Sequence, residues 1–209
     1  LELTLTTGGS LTVTLHDQID HTDDDVESNL AINLGSLIEV VAEDGDALSA
    51  PAADIVLNIG DDIPQIIGTP VTLQLDEDGL LGANPDSAPL LTGEVDHGEQ
   101  VTQTVDLTTY FSVGAVEPGT SQFTANVLAT LNGLGLTSNQ APITFTFFDA
   151  DTIIGETAGG GDVLELTLTT GGSLTVTLHD QIDHTDDDVE SNLAINLGSL
   201  IEVVAEDGD

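Results

Sequence analysis

Hydrophobic and polar residues alternate with a period of two along much of the chain. Leu1, Leu3 and Leu5 alternate with Glu2, Thr4 and Thr6; Gly8-Gly9 interrupts the pattern, and Leu11, Val13 and Leu15 resume it. This predicts a hairpin, LELTLT-TGGS-LTVTLH, with threonine on the outer face of half-exposed strands. The same reading predicts strands at Leu30–Leu34, Leu37–Ala42, Asp54–Ile59, Val71–Leu75, Val101–Leu107, Gln122–Leu128 and Ile143–Phe148. Stretches rich in Gly, Pro and Asp separate them, among them DGDALSAPA, DEDGLLGANPDSAP and GETAGGGD. No segment carries a helical stripe. Ser28–Val41 comes nearest, but its Leu30, Ile32 and Leu34 alternate as in a strand. Many short strands between such turns predict an all-β chain built as an antiparallel β-sandwich.

The alternating pattern also repeats on a long scale. Residues 1–46 and 164–209 are identical letter for letter, at an offset of 163 residues. Divergent duplication would have left substitutions, so the segment reads as a window on a tandem array with a period of 163. That period is too long for helical or leucine-rich solenoids and has the size of a domain, ~50–200 residues. Each unit is therefore expected to bury its own core, as beads on a string. The boundary is placed at Asp61-Asp62-Ile63-Pro64, after the apolar run ADIVLNIG, because Pro64 resists incorporation into a sheet. On this reading 1–60 is the C-terminal part of one unit. Residues 61–209 are the next unit without its last strand, and the partners of each unit are its identical neighbours in the same chain.

Charge narrows the function. The chain has 38 Asp plus Glu and no Lys or Arg; 11 of the acids lie in the second copy, leaving 27 per period. Nothing in the side-chain inventory neutralises them, and self-repulsion on that scale opposes compaction. Disorder is the usual fate of so acidic a chain, but 39% hydrophobic residues in alternating runs argue for folding. A bound divalent cation, Ca²⁺, is the economical counter-charge. The same charge excludes nucleic acid and anionic membrane surfaces as partners, since both need Lys and Arg. No apolar run approaches the ~20 residues of a membrane helix, so direct membrane insertion is not expected. Without cysteine there is no disulfide framework.

Taken together, Leu15, Asp17, Asp20 and His21, then Asp44-Gly45-Asp46, then Asp61, Asp62 and Pro64, then the Asp76–Leu80 run DEDGL, form an ordered set. It resembles the long Ig-like repeats of giant type I secretion substrates, the RTX adhesins and biofilm-associated proteins of Gram-negative bacteria. The resemblance spans essentially the whole period. It implies an Ig-like sandwich, Ca²⁺ as cofactor, an extracellular or cell-surface location, and a role in extending an adhesive domain whose target the sequence does not name. The chain departs from the family's DxDGD turn in having Ala42 where the first Asp would stand. The GGGD run at Gly159–Asp162 occurs once per period and does not make a β-roll.

The carboxylate clusters carry the candidate chemistry, because Ca²⁺ takes six to eight oxygens, mostly from Asp, Glu and carbonyls. The clusters are Asp23, Asp24 and Asp25; Glu43, Asp44 and Asp46; Asp61 and Asp62 with Asp76, Glu77 and Asp78; Glu94, Asp96 and Glu99; and Asp149 with Asp151. The Asp61-Asp62 linker with Asp76–Asp78 is the best single site. None has the EF-hand spacing, and each competes with a plain solvated loop. His16, Asp20 and Asp23–Asp25 offer a zinc-compatible donor set, against the stronger reading that His21 bonds loop backbone at a turn. An enzyme is not expected: there is no Cys, no Lys and no GxSxG elbow. With six aromatic residues a sugar-stacking platform is poorly supplied. A glycan- or ice-binding module of the same kind of adhesin is therefore the alternative to a spacer.

Overall fold

In the computed structural model of the chain the described residues are 1–17, 19, 29–61, 63–83, 98–114, 119–184 and 193–205. They are mostly strand with little helix, so the chain is all-β. They form two compact units, the first centred on Leu1–Pro64 and the second on Gln65–Ser112 with Gly119–Val204.

The first unit contains β1 (Glu2–Leu5), β2 (Leu11–Thr14), β3 (Asn29–Asn33), β4 (Glu39–Val41), β5 (Ala47–Ser49) and β6 (Val56–Gly60). They pair antiparallel as β1–β2, β3–β6 and β4–β5. A 3-10 turn at Gly35–Leu37 precedes β4. The strand expected from Leu37 therefore starts later, because Leu37 and Ile38 donate their N–H groups back to Leu34 and Gly35.

The second unit contains β7 (Gln65–Ile66), β8 (Thr102–Asp106), β9 (Phe111–Ser112), β10 (Thr120–Phe123), α1 (Val127–Gly133) and β11 (Thr137–Ser138). It continues with β12 (Ala141–Phe147), β13 (Thr152–Thr157), β14 (Asp162–Leu168), β15 (Ser173–Leu178) and β16 (Ile201–Val204). Six of these make one antiparallel sheet in the order β11-β12-β13-β14-β15-β8; β10 pairs with β16 and β7 with β9. The period-two pattern decides the faces. Ile143, Phe145, Ile153, Leu166, Leu174 and Val176 turn inward and are at most 6% exposed. Thr102, Thr104, Thr175 and Thr177 turn outward, and the hydroxyls of Thr104 and Thr175 meet at 2.8 Å. Over the inner face lie Val127 and Leu131 of α1, with Leu107, Ile182 and Leu200.

Two expectations are corrected here. Gln122–Leu128 is not a continuous strand: β10 stops at Phe123 and a helix starts at Val127. Val127 and Leu131, four apart, share one helical face and are each 1% exposed; a stripe of two residues is too short to stand out in a sequence. Val71–Leu75 forms no strand either. The Gln74 N–H goes to the Gln103 side chain and the Asp76 N–H to the Gln100 carbonyl, so no ladder forms. Conversely, β13 begins ahead of the turn-rich GETAGGGD stretch and runs into it. Its Gly155 sits opposite Phe145, and only glycine fits there, since a Cβ would come within 2.6 Å of the ring.

One turn geometry recurs. At 6–10, 42–46, 157–161 and 169–173 the first residue donates its N–H to the fifth and accepts from the fourth. The fourth is Gly9, Gly45, Gly160 or Gly172, each with φ between 80° and 94°. This is a type I turn with a G1 bulge, and it explains why TTGGS, AEDGD and TAGGG can all close hairpins.

Candidate metal sites

Aspartate-x-residue spacing places a carboxylate oxygen within reach of the N–H two residues on, the Asx turn. Three of the expected metal clusters are built around this bond. Asp44 Oδ1 accepts from the Asp46 N–H at 3.4 Å, a long contact, inside the β4–β5 hairpin turn that also holds Glu43. Asp149 Oδ1 accepts from the Asp151 N–H at 2.9 Å in the β12–β13 turn. Asp76 Oδ1 accepts from the Asp78 N–H at 3.0 Å and caps the 3-10 turn Glu77–Gly79.

The Asp76–Asp78 segment is the most enclosed of the three. Asp76 is 5% exposed. Gly79 is fixed by crowding, since a Cβ there would lie 2.2 Å from the Glu99 carbonyl oxygen. Glu77 turns to the second copy of the repeat: its Oε1 accepts from the Ile182 N–H at 2.7 Å and lies 3.5 Å from His184 Nε2. Glu77 thus ties the DEDGL segment to the loop after β15, a structural role that its position in an acidic run conceals.

Asp61 follows β6 and is half-buried. Asp23, Asp24, Asp25, Asp62, Glu94 and Asp96, with Asp20, His21 and His97, lie outside the described residues. Among the described residues, no three His, Asp or Glu side chains are grouped as a metal ion requires. The Asp-x-Asp loops are closed by their own backbone N–H groups. His16 pairs with Glu2 at 2.8 Å, and its copy His179 pairs with Glu165 at 3.0 Å.

Sequence reasoning passed over two other carboxylates that organise turns. Asp106 accepts from the Thr108 hydroxyl at 2.6 Å and from the Thr108 N–H at 3.0 Å, and these bonds hold its carboxyl below its ordinary value. Asp183 is lowered likewise, first by the Thr137 hydroxyl and then by the Gln140 N–H, which reaches it at 2.7 Å. That bond braces the β11–β12 turn, where Asn139 and Gln140 both have positive φ, 49° and 64°. The D-x-T spacing was a legible signal for Asp106; Asp183 is brought to its partners by the fold, across 43 residues.

The chain matches no family model, no curated protein and no solved structure.

Proposed function

We propose that this chain is a stretch of tandem array whose 163-residue units serve as Ca²⁺-stabilised spacers of a giant secreted adhesin. Each unit is an Ig-like antiparallel β-sandwich that holds an adhesive domain away from the cell surface; the units are extracellular and not enzymes. The observation that carries this reading is the behaviour of the two identical segments. Both fold the TTGGS hairpin in one register, Glu2 opposite Thr14 and Glu165 opposite Thr177. Both form the His–Glu pair and the Gly-Ser-Leu 3-10 turn. A module whose task is length needs only a fold that repeats.

Calcium enters through charge. With 38 acids and no Lys or Arg, cation binding to the folded chain relieves repulsion that the protein's own side chains do not. Extracellular modules bind Ca²⁺ with Kd roughly 10⁻⁴–10⁻³ M. At about 10 mM Ca²⁺ and a Kd of ~0.1 mM, one site contributes about 2.7 kcal/mol. The test is thermal unfolding with small-angle scattering in Ca²⁺, Mg²⁺ and EGTA. A higher melting temperature and a longer particle in Ca²⁺ support the proposal; values unchanged by EGTA reject its calcium part.

The outward threonine face of the six-stranded sheet favours the second reading, a glycan- or ice-binding module. Thr144 and Thr146 of β12 line a shallow depression there with Pro142 and Glu156. A glycan array and an ice-recrystallisation assay decide it, since a spacer is inert in both.

A further inference from the structure

We propose that the open face formed by residues 2–14 and 35–41 is a docking surface for a second copy of residues 102–106, 120–133 and 141–157 of this same sequence. The copy comes from a preceding unit of the array or from another molecule. The inference rests on the tandem-array part of the proposed function and not on its calcium or adhesion parts.

The argument compares identical residues in two settings. Leu3 is 42% exposed while its equivalent Leu166 is 0%; Leu5 is 50% and Leu168 1%. Leu37 is 72% exposed and Leu200 1%, although both sit at the end of the same Gly-Ser-Leu 3-10 turn. Local sequence and local structure are equal, so the difference is what covers them. In the second copy the cover is known. The hairpin β14–β15 is flanked by β13 on one edge and β8 on the other, and Leu200 packs beside α1. In the first copy the equivalent hairpin β1–β2 forms a sheet of two strands.

The edges of β4 and its copy β16 make the case sharper. Along a strand, successive residues direct their N–H and C=O groups to opposite sides. The Ala42 N–H bonds the Asp46 carbonyl, so Ala42 and Val40 turn toward β5. The Leu200 carbonyl accepts from the Thr124 N–H, so Leu200 and Glu202 turn toward β10. Their equivalents in the first copy, Leu37 and Glu39, lie on the side of β4 away from β5. The two copies thus use opposite edges of one strand. Superposed, they give a three-stranded sheet with this strand at its centre, β10 on one side and β5 on the other, with no competition for a slot.

The complement holds in reverse. A Cβ on Gly35 would lie 2.0 Å from the Pro51 carbonyl oxygen, whereas the nearest atom at Gly198 is Asn196 Oδ1 at 3.5 Å. β3 forms by pairing with β6, while the same residues at 193–196 form no strand. Among the described residues, β5 and β6 are therefore the elements that the second copy lacks, and β8, β10, α1 and β13 are those that the first copy lacks.

The chain has no cysteine, so single-cysteine variants report on single sites. Leu37→Cys and Leu3→Cys are made in the 209-residue chain and in a chain lengthened before Leu1 by a further copy of residues 47–163. Leu200→Cys is the covered reference; both probe sites are exposed in the 209-residue chain, and in either chain a variant is scored only when its circular dichroism spectrum and melting profile match those of its cysteine-free parent. Reaction with a maleimide is followed together with molar mass. A covered thiol reacts only when the structure opens, so in the dilute monomer the Leu37→Cys and Leu3→Cys variants should label at least ~10-fold faster than Leu200→Cys. In the lengthened chain both should fall to the Leu200→Cys rate. If the 209-residue chain is concentrated and protection appears with a doubled mass, the cover is supplied in trans. Unchanged fast labelling in the lengthened chain overturns the proposal, as does slow labelling of Leu37→Cys in a monomeric 209-residue chain. A chain indifferent to EGTA can still pass this test, and one that fails it can still bind Ca²⁺.

Discussion

Leu3 and Leu166 occupy the same position of the same hairpin, yet one is 42% exposed and the other fully buried. Truncating a buried leucine costs about 2–5 kcal/mol through lost transfer energy and a residual cavity, while truncation at a surface position costs within about 0.5 kcal/mol. Leu166→Ala should therefore lower the denaturation midpoint of the second unit strongly, and Leu3→Ala should leave it in place; equal effects would mean the two hairpins share one environment. Asp106 offers a test in pH. Its carboxyl is held below the ordinary value of 3.8 by the Thr108 hydroxyl and N–H. A folded value below the unfolded one gives stability that is present above the unfolded value and lost as pH falls through the folded one. The urea midpoint of the parent should exceed that of Asp106→Ala at about pH 6, and the gap should close as pH drops below 3.8.

The side chain of Asn132 ties α1 to β12. Asn132 on this helix donates to the Phe145 carbonyl at 3.1 Å and accepts from the Phe145 N–H at 2.9 Å. The amide thus imitates a neighbouring strand along the stretch of β12 that the two-residue β11 is too short to cover. An uncovered strand edge is a site for mispairing, and leaving a donor or acceptor unsatisfied costs about 1–3 kcal/mol. Asn132→Leu keeps the side-chain bulk and removes both bonds. It should lower stability by that order and speed hydrogen exchange at the Phe145 amide; a Phe145 amide as protected as in the parent would show that water or a neighbour takes over.

At the scale of the whole molecule the governing quantity is the formal charge of −38. Raising monovalent salt shortens the Debye length from ~10 Å at 0.1 M to ~3 Å at 1 M. Since the only ion pairs open to these carboxylates involve histidine or a chain terminus, screening chiefly weakens repulsion. The melting temperature should rise with NaCl, the reverse of a protein stabilised by surface ion pairs. Ca²⁺ acting at sites should give the same rise at millimolar levels; if it only matches NaCl at equal ionic strength, it acts as a diffuse counter-ion.

The sequence by itself determined the features whose physics is local. Alternation of Leu and Thr set both faces of β14 and β15, and glycine at the fourth position of each tight turn set the hairpins, so the two TTGGS hairpins fold alike. Only the tertiary structure decided which faces are covered, because coverage comes from residues far along the chain: β8 reaches β15 across roughly 70 positions, and β10 reaches β16 across roughly 80. The short stripe of Val127 and Leu131 became a helix because the sheet supplied a surface to pack on. The acidic runs were legible as charge but not as geometry. Asp44, Asp76 and Asp149 turn an oxygen to the N–H two residues on, and Glu77 reaches residue 182, 105 positions away. A carboxylate's partner is set by distance in space, and distance in sequence fixes that only within a single turn.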